Sequence, residues 1–146
     1  MNGSVVCIDA SLLIKLVIPE PYSEEVEALW QGWARYSTQR VAPRLLFYEI
    51  TSVLRKKVYR RLLTDDEAEM ALERALAFRI ELIDPADLHK RAWAVARRLN
   101  QPAAYDSHYL ALAELLECPF WTGDERLFNA VHEALTWVHW VGDSRH

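Results

Sequence analysis

Short apolar runs alternate along this chain with longer stretches of helical spacing, and this alternation restricts the fold more than any other feature. Val5 to Ile8 is a continuous run rich in β-branched residues, which is typical of a strand buried on both faces. Further short strands are expected at 40–42, 80–83, 119–122 and 137–140. Strands that are separated by helices usually form a parallel sheet with helices on both faces. The sequence therefore predicts an α/β domain of three layers around a mostly parallel central sheet.

Seven helices are expected between these strands, at 11–17, 23–35, 44–61, 65–78, 85–100, 105–117 and 125–131. Three of them have a capping signal: Ser23 before the second helix, Thr64 with Glu67 as a capping box, and Asp84 followed by a proline. No repeat, linker or low-complexity segment interrupts the pattern. We therefore expect a single domain over residues 1–146.

The composition excludes several classes of protein. With 51% hydrophobic and 26% charged residues the chain can bury a core, and a net charge of −4 argues against a general nucleic-acid coat but not against one local basic patch. Cys7 and Cys118 lie in apolar surroundings with no zinc-ligand spacing, so two buried, reduced thiols are expected. No signal peptide or membrane-spanning run is recognisable, which predicts a cytoplasmic protein with no membrane association.

Three aspartates occupy positions where a parallel sheet commonly binds its ligands. Asp9 ends the first strand, and Asp124 follows the strand at 119–122 after one glycine. Asp106 lies in the first turn of the sixth helix. Each of these side chains could instead cap its helix or offset the positive end of the helix dipole. The residues alone leave both interpretations open.

Glu49 is the most informative of the acidic residues. Leu45 and Val53 lie four residues to either side of it, so its side chain falls within the apolar stripe of its helix. A carboxylate in such a place is costly unless it binds a cation or is paired. The structural alternatives are a position at the rim of the buried stripe or an ion pair with an arginine such as Arg97 or Arg98.

In a parallel sheet these four carboxylates can converge at one edge. Four negative charges cannot all persist in a low dielectric without cations or protonation. No His or Cys accompanies the set, so the hard, oxygen-seeking ions Mg²⁺ and Mn²⁺ suit it best. The chemistry that fits such a site is phosphodiester hydrolysis, in which a metal activates water and stabilises the departing oxygen.

Four segments, taken in order, resemble the PIN-domain family and, within it, the VapC-type toxins of toxin–antitoxin pairs. They are residues 5–11 (VVCIDAS), 42–49 (APRLLFYE), 104–114 (AYDSHYLALAE) and 120–127 (FWTGDERL). Ser107 and His108 depart from the family pattern, because relatives more often have a small apolar residue after the aspartate. All four acidic residues are present, so the sequence shows no sign of an inactive site.

The resemblance implies a PIN-like domain that acts as an endoribonuclease and depends on Mg²⁺ or Mn²⁺. The metal-binding and catalytic residues it implies are Asp9, Glu49, Asp106 and Asp124. It also implies that the hydroxyls of Ser11 and Thr122 orient a carboxylate or a metal-bound water. The resembling toxins cut RNA, usually dimerise, and hold the C-terminal segment of a cognate antitoxin in a cleft between their early helices.

Basic residues offer contacts for RNA phosphates. Arg40 and Arg44 flank Pro43, near the expected pocket, and are the preferred candidates. The run at 55–61 (RKKVYRR) is interpreted instead as a solvated helix end whose cations offset the negative end of the dipole. Tracking of RNA phosphates by this run stays open as an alternative.

Two other functions remain open. Phosphatases of the haloacid-dehalogenase type also have an Asp at a strand end, but they need a second Asp two residues later, where this chain has Ser11. A catalytically inactive module of the same fold could bind RNA or a protein. Metal-dependent RNA cleavage that is lost on Asp9→Asn would separate the enzyme from the module.

Overall fold

A five-stranded parallel sheet forms the centre of the computed structural model, which describes residues 4–144. Its strands are β1 (Val5–Ile8), β2 (Gln39–Ala42), β3 (Glu81–Leu82), β4 (Phe120–Thr122) and β5 (Val138–Trp140). Their order across the sheet is β3-β2-β1-β4-β5, and every neighbouring pair is parallel. β1 is the central strand, and the burial of Val6, Cys7 and Ile8 agrees with its continuous apolar sequence. The predicted parallel sheet is confirmed.

Seven helices connect these strands within the described residues. They are α1 (Ala10–Val17), α2 (Ser23–Arg35), α3 (Leu45–Tyr59), α4 (Asp65–Ala77), α5 (Leu88–Arg98), α6 (Tyr105–Leu116) and α7 (Glu125–Val131). α1 packs against β4 and against α2, α3 and α4, whereas α6 packs against β1, β4 and α5. The helices flank the sheet and give the three layers that the sequence predicts.

The predicted helix starts are correct at some capping signals and wrong at others. The capping box at the start of α4 is present, since the Thr64 N–H donates to Glu67 Oε1 (2.9 Å) and the Glu67 N–H donates to Thr64 Oγ1 (3.1 Å). Ser23 does not cap α2. Tyr22 occupies the cap position with a φ of 70°, and the Ser23 hydroxyl accepts a hydrogen bond from the Glu20 N–H (2.9 Å) instead.

The predicted start of α5 is also wrong. The helix begins at Leu88, three residues after Pro85, and the Asp84 side chain does not cap it. The Asp84 carboxylate accepts a hydrogen bond from the backbone N–H of Arg44 at 3.0 Å, just before α3. This long-range contact takes Asp84 away from the helix that follows it in sequence.

The two thiols are buried and free, as predicted. Cys7 lies on β1, with its Sγ 3.7 Å from the Tyr109 carbonyl oxygen, and Cys118 lies just before β4. Neither forms a disulfide. Within residues 4–144, no helix has both the length and the apolar character needed to cross a bilayer.

Candidate active site

The register of the sheet places Asp9 beside Thr122. Ile8 of β1 pairs with Trp121 of β4, so the next residue of each strand lies at the same carboxyl edge. The Thr122 hydroxyl donates to Asp9 Oδ2 (2.5 Å), while the Ser11 hydroxyl (2.8 Å) and the Leu12 N–H (3.0 Å) donate to Oδ1. Asp9 is therefore the N-cap of α1, as the capping interpretation predicts. Two side-chain hydroxyls also hold it, which a helix cap does not need.

The same two hydroxyls fix the loop that carries Asp124. Ser11 Oγ accepts a hydrogen bond from the Gly123 N–H (2.9 Å), and Thr122 Oγ1 accepts one from the Asp124 N–H (3.0 Å). Asp124 also caps α7, because its Oδ1 accepts from the N–H groups of Arg126 and Leu127. Ser11 and Thr122 thus tie the ends of β1 and β4 into one hydrogen-bonded unit.

Glu49 reaches the site from α3, where its side chain is half-buried. The buried Tyr109 on α6 donates its hydroxyl hydrogen to Glu49 Oε1 at 2.5 Å. The alternative of an ion pair with Arg97 or Arg98 is wrong, because within residues 4–144 Glu49 forms no ion pair and Arg98 pairs with Glu114 at 2.8 Å. Beside Glu49 lies a neutral hydrogen-bond donor, Tyr109.

All four predicted carboxylates line one cavity of about 290 Å³. Asp106 joins the others from the first turn of α6, and within residues 4–144 its carboxylate accepts no hydrogen bond. The remaining wall is formed by side chains and backbone of α1, α3, α6 and the segment after α1, namely Ala10, Ser11, Ile14, Lys15, Glu20, Val53, Lys57 and Tyr109. The structure therefore brings the four acids together at the carboxyl edge of the sheet.

Burial raises the pKa of Asp9, the most buried of these carboxylates. Loss of hydration raises the pKa of Asp9 to about 7, although the hydrogen bonds from Thr122, Ser11 and the Leu12 N–H oppose the rise. The negative charge of Asp106 raises it further. Near neutral pH, Asp9 is therefore poised between its neutral and charged forms.

The pKa values of two more acids are raised for related reasons. Desolvation raises the pKa of Glu49, the Tyr109 hydrogen bond opposes this, and the charge of Asp106 adds to it. Desolvation by the cavity wall and the nearby Asp124 charge raise the pKa of Asp106, whereas Arg126 lowers it. A bound cation would offset all of these costs, because it favours the charged form of every carboxylate in the cavity.

The donor chemistry of this cavity fits a hard divalent cation. Within the described part of the chain, no three His, Cys, Asp or Glu side chains are close enough together to form a ready-made metal cage. The cavity nevertheless offers carboxylate and hydroxyl oxygens and neither thiol nor imidazole. One oxygen of Glu49 and one of Asp124 accept no hydrogen bond from residues 4–144 and stay available as ligands.

Arg40 and Arg44, the preferred candidates for RNA contacts, do not line this cavity. The Arg40 guanidinium lies over the Trp30 ring, 4.7 Å from its centroid, and donates to the Thr38 carbonyl (3.0 Å). Arg44 is exposed and pairs with Asp84 at 3.9 Å. Both arginines thus have partners within the protein, and their contact with RNA stays a prediction.

The sequence interpretation missed two lysines and a tyrosine at the site. Lys15 lies four residues after Ser11, and Lys57 lies eight residues after Glu49, so helical periodicity places each on the cavity side of its helix. Lys57 belongs to the basic run that was interpreted as a solvated helix end. Tyr109, three residues after Asp106, could have been found from the same periodicity on α6.

Comparisons with known proteins agree with this arrangement. Residues 6–133 match the sequence model described as the PIN domain. Ribonuclease VapC3 from Pyrobaculum aerophilum is 32% identical to this chain over 123 residues, which are 82% of this chain and 89% of the relative.

Two solved structures share the fold. VapBC2 from Rickettsia felis, bound to a DNA fragment from their promoter, aligns with a TM-score of 0.67 and 11% identity over 93% of this chain and 96% of that one. The PAE2754 protein from Pyrobaculum aerophilum aligns with a TM-score of 0.60 and 26% identity over 87% and 86% of the two chains. The first likeness concerns the fold alone, because its sequence identity is low.

Proposed function

Because the chain belongs to the PIN-domain family, we propose that it is a cytoplasmic endoribonuclease of the VapC type that hydrolyses RNA with Mg²⁺ or Mn²⁺. The observation that carries this proposal is the convergence of four carboxylates on one cavity, with burial raising the pKa of three of them. The name of the 32% identical relative, a ribonuclease, supports the same activity.

The proposed ligands of the cation are Asp9, Glu49, Asp106 and Asp124. A divalent cation bound there would lower the pKa of a water molecule and stabilise the charge on the departing oxygen. Thr122 and Ser11 hold Asp9, and Tyr109 holds Glu49, before any substrate arrives. Side chains fixed in advance lose little further freedom during the reaction, which is how positioning contributes to rate.

Hydrolysis forms one P–O bond to the water oxygen and breaks one P–O ester bond. The attacking water must lose a proton, and the departing oxygen must gain one. We assign the first step to Glu49, because its Oε2 is not used by Tyr109 and can accept a hydrogen bond from a water molecule in the cavity. Tyr109 keeps this carboxylate at the cavity wall.

We further propose that the protein is the toxin of a toxin–antitoxin pair and forms a homodimer. A second cleft of about 410 Å³ lies beside the active site and shares Lys15 with it. Ile18 and Pro19 give this cleft an apolar wall, and its charged lining comes from Lys15, Glu24, Glu27 and Arg74. Such a surface suits an antitoxin segment that carries apolar side chains and charges of both signs. A small adjacent gene whose product has a DNA-binding N-terminus would identify the antitoxin.

RNA cleavage by the purified protein tests the proposed activity. We expect cleavage that requires Mg²⁺ or Mn²⁺, stops with EDTA, and falls at least about 100-fold in Asp9→Asn, since even residues that only orient metal ligands contribute 10- to 100-fold. The matched control is Asp87→Asn. Asp87 is exposed and pairs with Arg91 at 2.7 Å, outside the cavity. This control should cleave RNA like wild type.

Two results would contradict the proposal. Equal cleavage by wild type and Asp9→Asn would mean that a contaminating nuclease or another site is responsible. Metal-loaded wild type that binds RNA without cutting it would support the alternative of a catalytically inactive binding module.

A further inference from the structure

Two lysines share the active-site cavity with the four carboxylates. Lys15 reaches it from α1 and Lys57 from α3, and one glutamate bridges them. Lys15 Nζ lies 3.4 Å from Glu20 Oε1, and Lys57 Nζ lies 3.0 Å from Glu20 Oε2. The proposed hydrolysis does not use any of these three side chains. The cavity therefore has an acidic part and a basic part.

The basic part is built into the fold. The Lys15 side chain is only 11% exposed and that of Lys57 only 25%, although lysines usually extend into solvent. Gly123 makes room for Lys15, because a Cβ at residue 123 would lie 2.8 Å from Lys15 Cε and 2.7 Å from the Ser11 carbonyl oxygen. The loop that carries Asp124 and the side chain of Lys15 are thus fitted to each other.

The charges of this group do not cancel. Glu20 supplies one negative charge to two ammonium groups, which leaves one positive charge at the cavity wall beside four acids. An RNA backbone carries one phosphate per nucleotide, so a nuclease that holds the scissile phosphate at its acidic residues meets further phosphates close by. Ammonium groups bind phosphate as point charges and contribute to the position of the strand rather than to its sequence.

From this placement we infer that Lys15 and Lys57, bridged by Glu20, form a subsite for an RNA phosphate next to the one that is cleaved. The inference rests on the proposed ribonuclease function and specifies how its substrate is held. The subsite binds backbone, so it strengthens binding to all RNA sequences alike. It also gives a chain of negative net charge a local attraction for RNA.

The test measures RNA binding in the Asp9→Asn background, where cleavage is expected to be at least about 100-fold slower. A single-stranded RNA is titrated at several KCl concentrations with Mg²⁺ held constant. We expect Lys57→Gln and Lys15→Gln each to weaken binding several-fold at low salt and to reduce the slope of log affinity against log salt. The two changes together should reduce the slope by about 0.7, the value for one phosphate contact to a single strand. The loss should be the same for RNAs of different sequence.

Lys56→Gln is the matched control. Lys56 is exposed on the same helix and does not line the cavity, so its removal should leave the salt slope unchanged. Thermal unfolding of each variant checks folding. Lys57→Gln should unfold close to the parent protein, because Glu20 keeps Lys15 as its partner.

The outcomes separate the subsite from the ribonuclease function. If Lys57→Gln and Lys15→Gln bind RNA with the same salt slope as Lys56→Gln, the subsite is wrong, while cleavage by wild type would still support the ribonuclease. If their unfolding temperature falls but the salt slope stays, the lysines have a structural role only, and the inference is overturned. If wild type cleaves no RNA and binds none, both proposals fail together.

Discussion

Asp9 is the most buried of the four cavity carboxylates, with only 5% of its surface exposed. Three hydrogen-bond donors surround it, yet burial still raises its pKa to about 7. Capping of α1 alone does not require burial, and the hydrogen bond from the Leu12 N–H lowers the pKa of Asp9. The fold therefore holds Asp9 in a place where its charge is costly, and such costs are typical of functional sites.

The pH dependence of stability should reveal this cost in the metal-free protein. The folded-state pKa of Asp9 lies above its unfolded value, so between about pH 4 and pH 7 the folded state retains a proton that the unfolded state releases. Stability should therefore fall as pH rises through this window, by up to about 4 kcal/mol, since one pKa unit corresponds to about 1.4 kcal/mol. Chemical denaturation in EDTA at pH 5 and pH 8 measures the part of this loss that falls above pH 5, which is up to about 3 kcal/mol.

Asp9→Asn isolates the contribution of Asp9, because other titrating groups affect both proteins alike. The variant should lack this loss and be more stable than wild type at pH 8, since asparagine also caps helices well. If the free energy of unfolding depends on pH in the same way in both proteins, burial does not raise the pKa of Asp9.

Glu49→Gln separates a metal ligand from a structural acid. Gln keeps the oxygen that accepts from Tyr109 but removes a charge whose pKa burial and Asp106 both raise. Without metal, the variant should be equally or slightly more stable at pH 8, by no more than about 1 kcal/mol because Glu49 is partly exposed. RNA cleavage should fall at least about tenfold.

Glu114→Gln serves as the control for this comparison. It removes the exposed ion pair of Glu114 with Arg98 and should leave cleavage unchanged. A Glu49→Gln protein that is destabilised but still cleaves RNA would remove Glu49 from the site.

Most of the helices and strands are predictable from the sequence because their periodicity is local. The apolar run of β1 and the spacing in α3 each fix an element to within a few residues. The start of α5 is not predictable in this way. Asp84 binds the Arg44 N–H, 40 residues away in sequence, and local capping rules contain no information about such a partner.

Within the site, too, some contacts follow from the pattern of strands and helices, whereas others depend on long-range packing. Asp9 and Thr122 come together because parallel strands share a carboxyl edge, which the element pattern already implies. The Tyr109 hydroxyl beside Glu49 depends on how α3 and α6 are placed relative to each other, and spacing along one helix does not give that. The contact of the Arg40 guanidinium with Trp30 on α2 is a long-range contact of the same kind.

Across the whole molecule, buried and partly buried acidic side chains are concentrated at the carboxyl edge of the sheet. Asp9 is the one charged residue among the buried side chains of residues 4–144, and it lies at this edge beside three further acids. A cation bound as proposed would offset the cost of this arrangement. Folding and metal binding would then be linked, and the metal should stabilise the protein as a whole.

The stability of wild type and Asp9→Asn with increasing Mn²⁺ tests this central claim most directly. At a hundredfold excess of metal over its dissociation constant, wild type should gain about 2.7 kcal/mol, seen as a rise in unfolding temperature that EDTA reverses. Asp9→Asn should gain much less, because it lacks the central carboxylate of the site. An equal rise in both proteins, or no rise in wild type, would contradict the account.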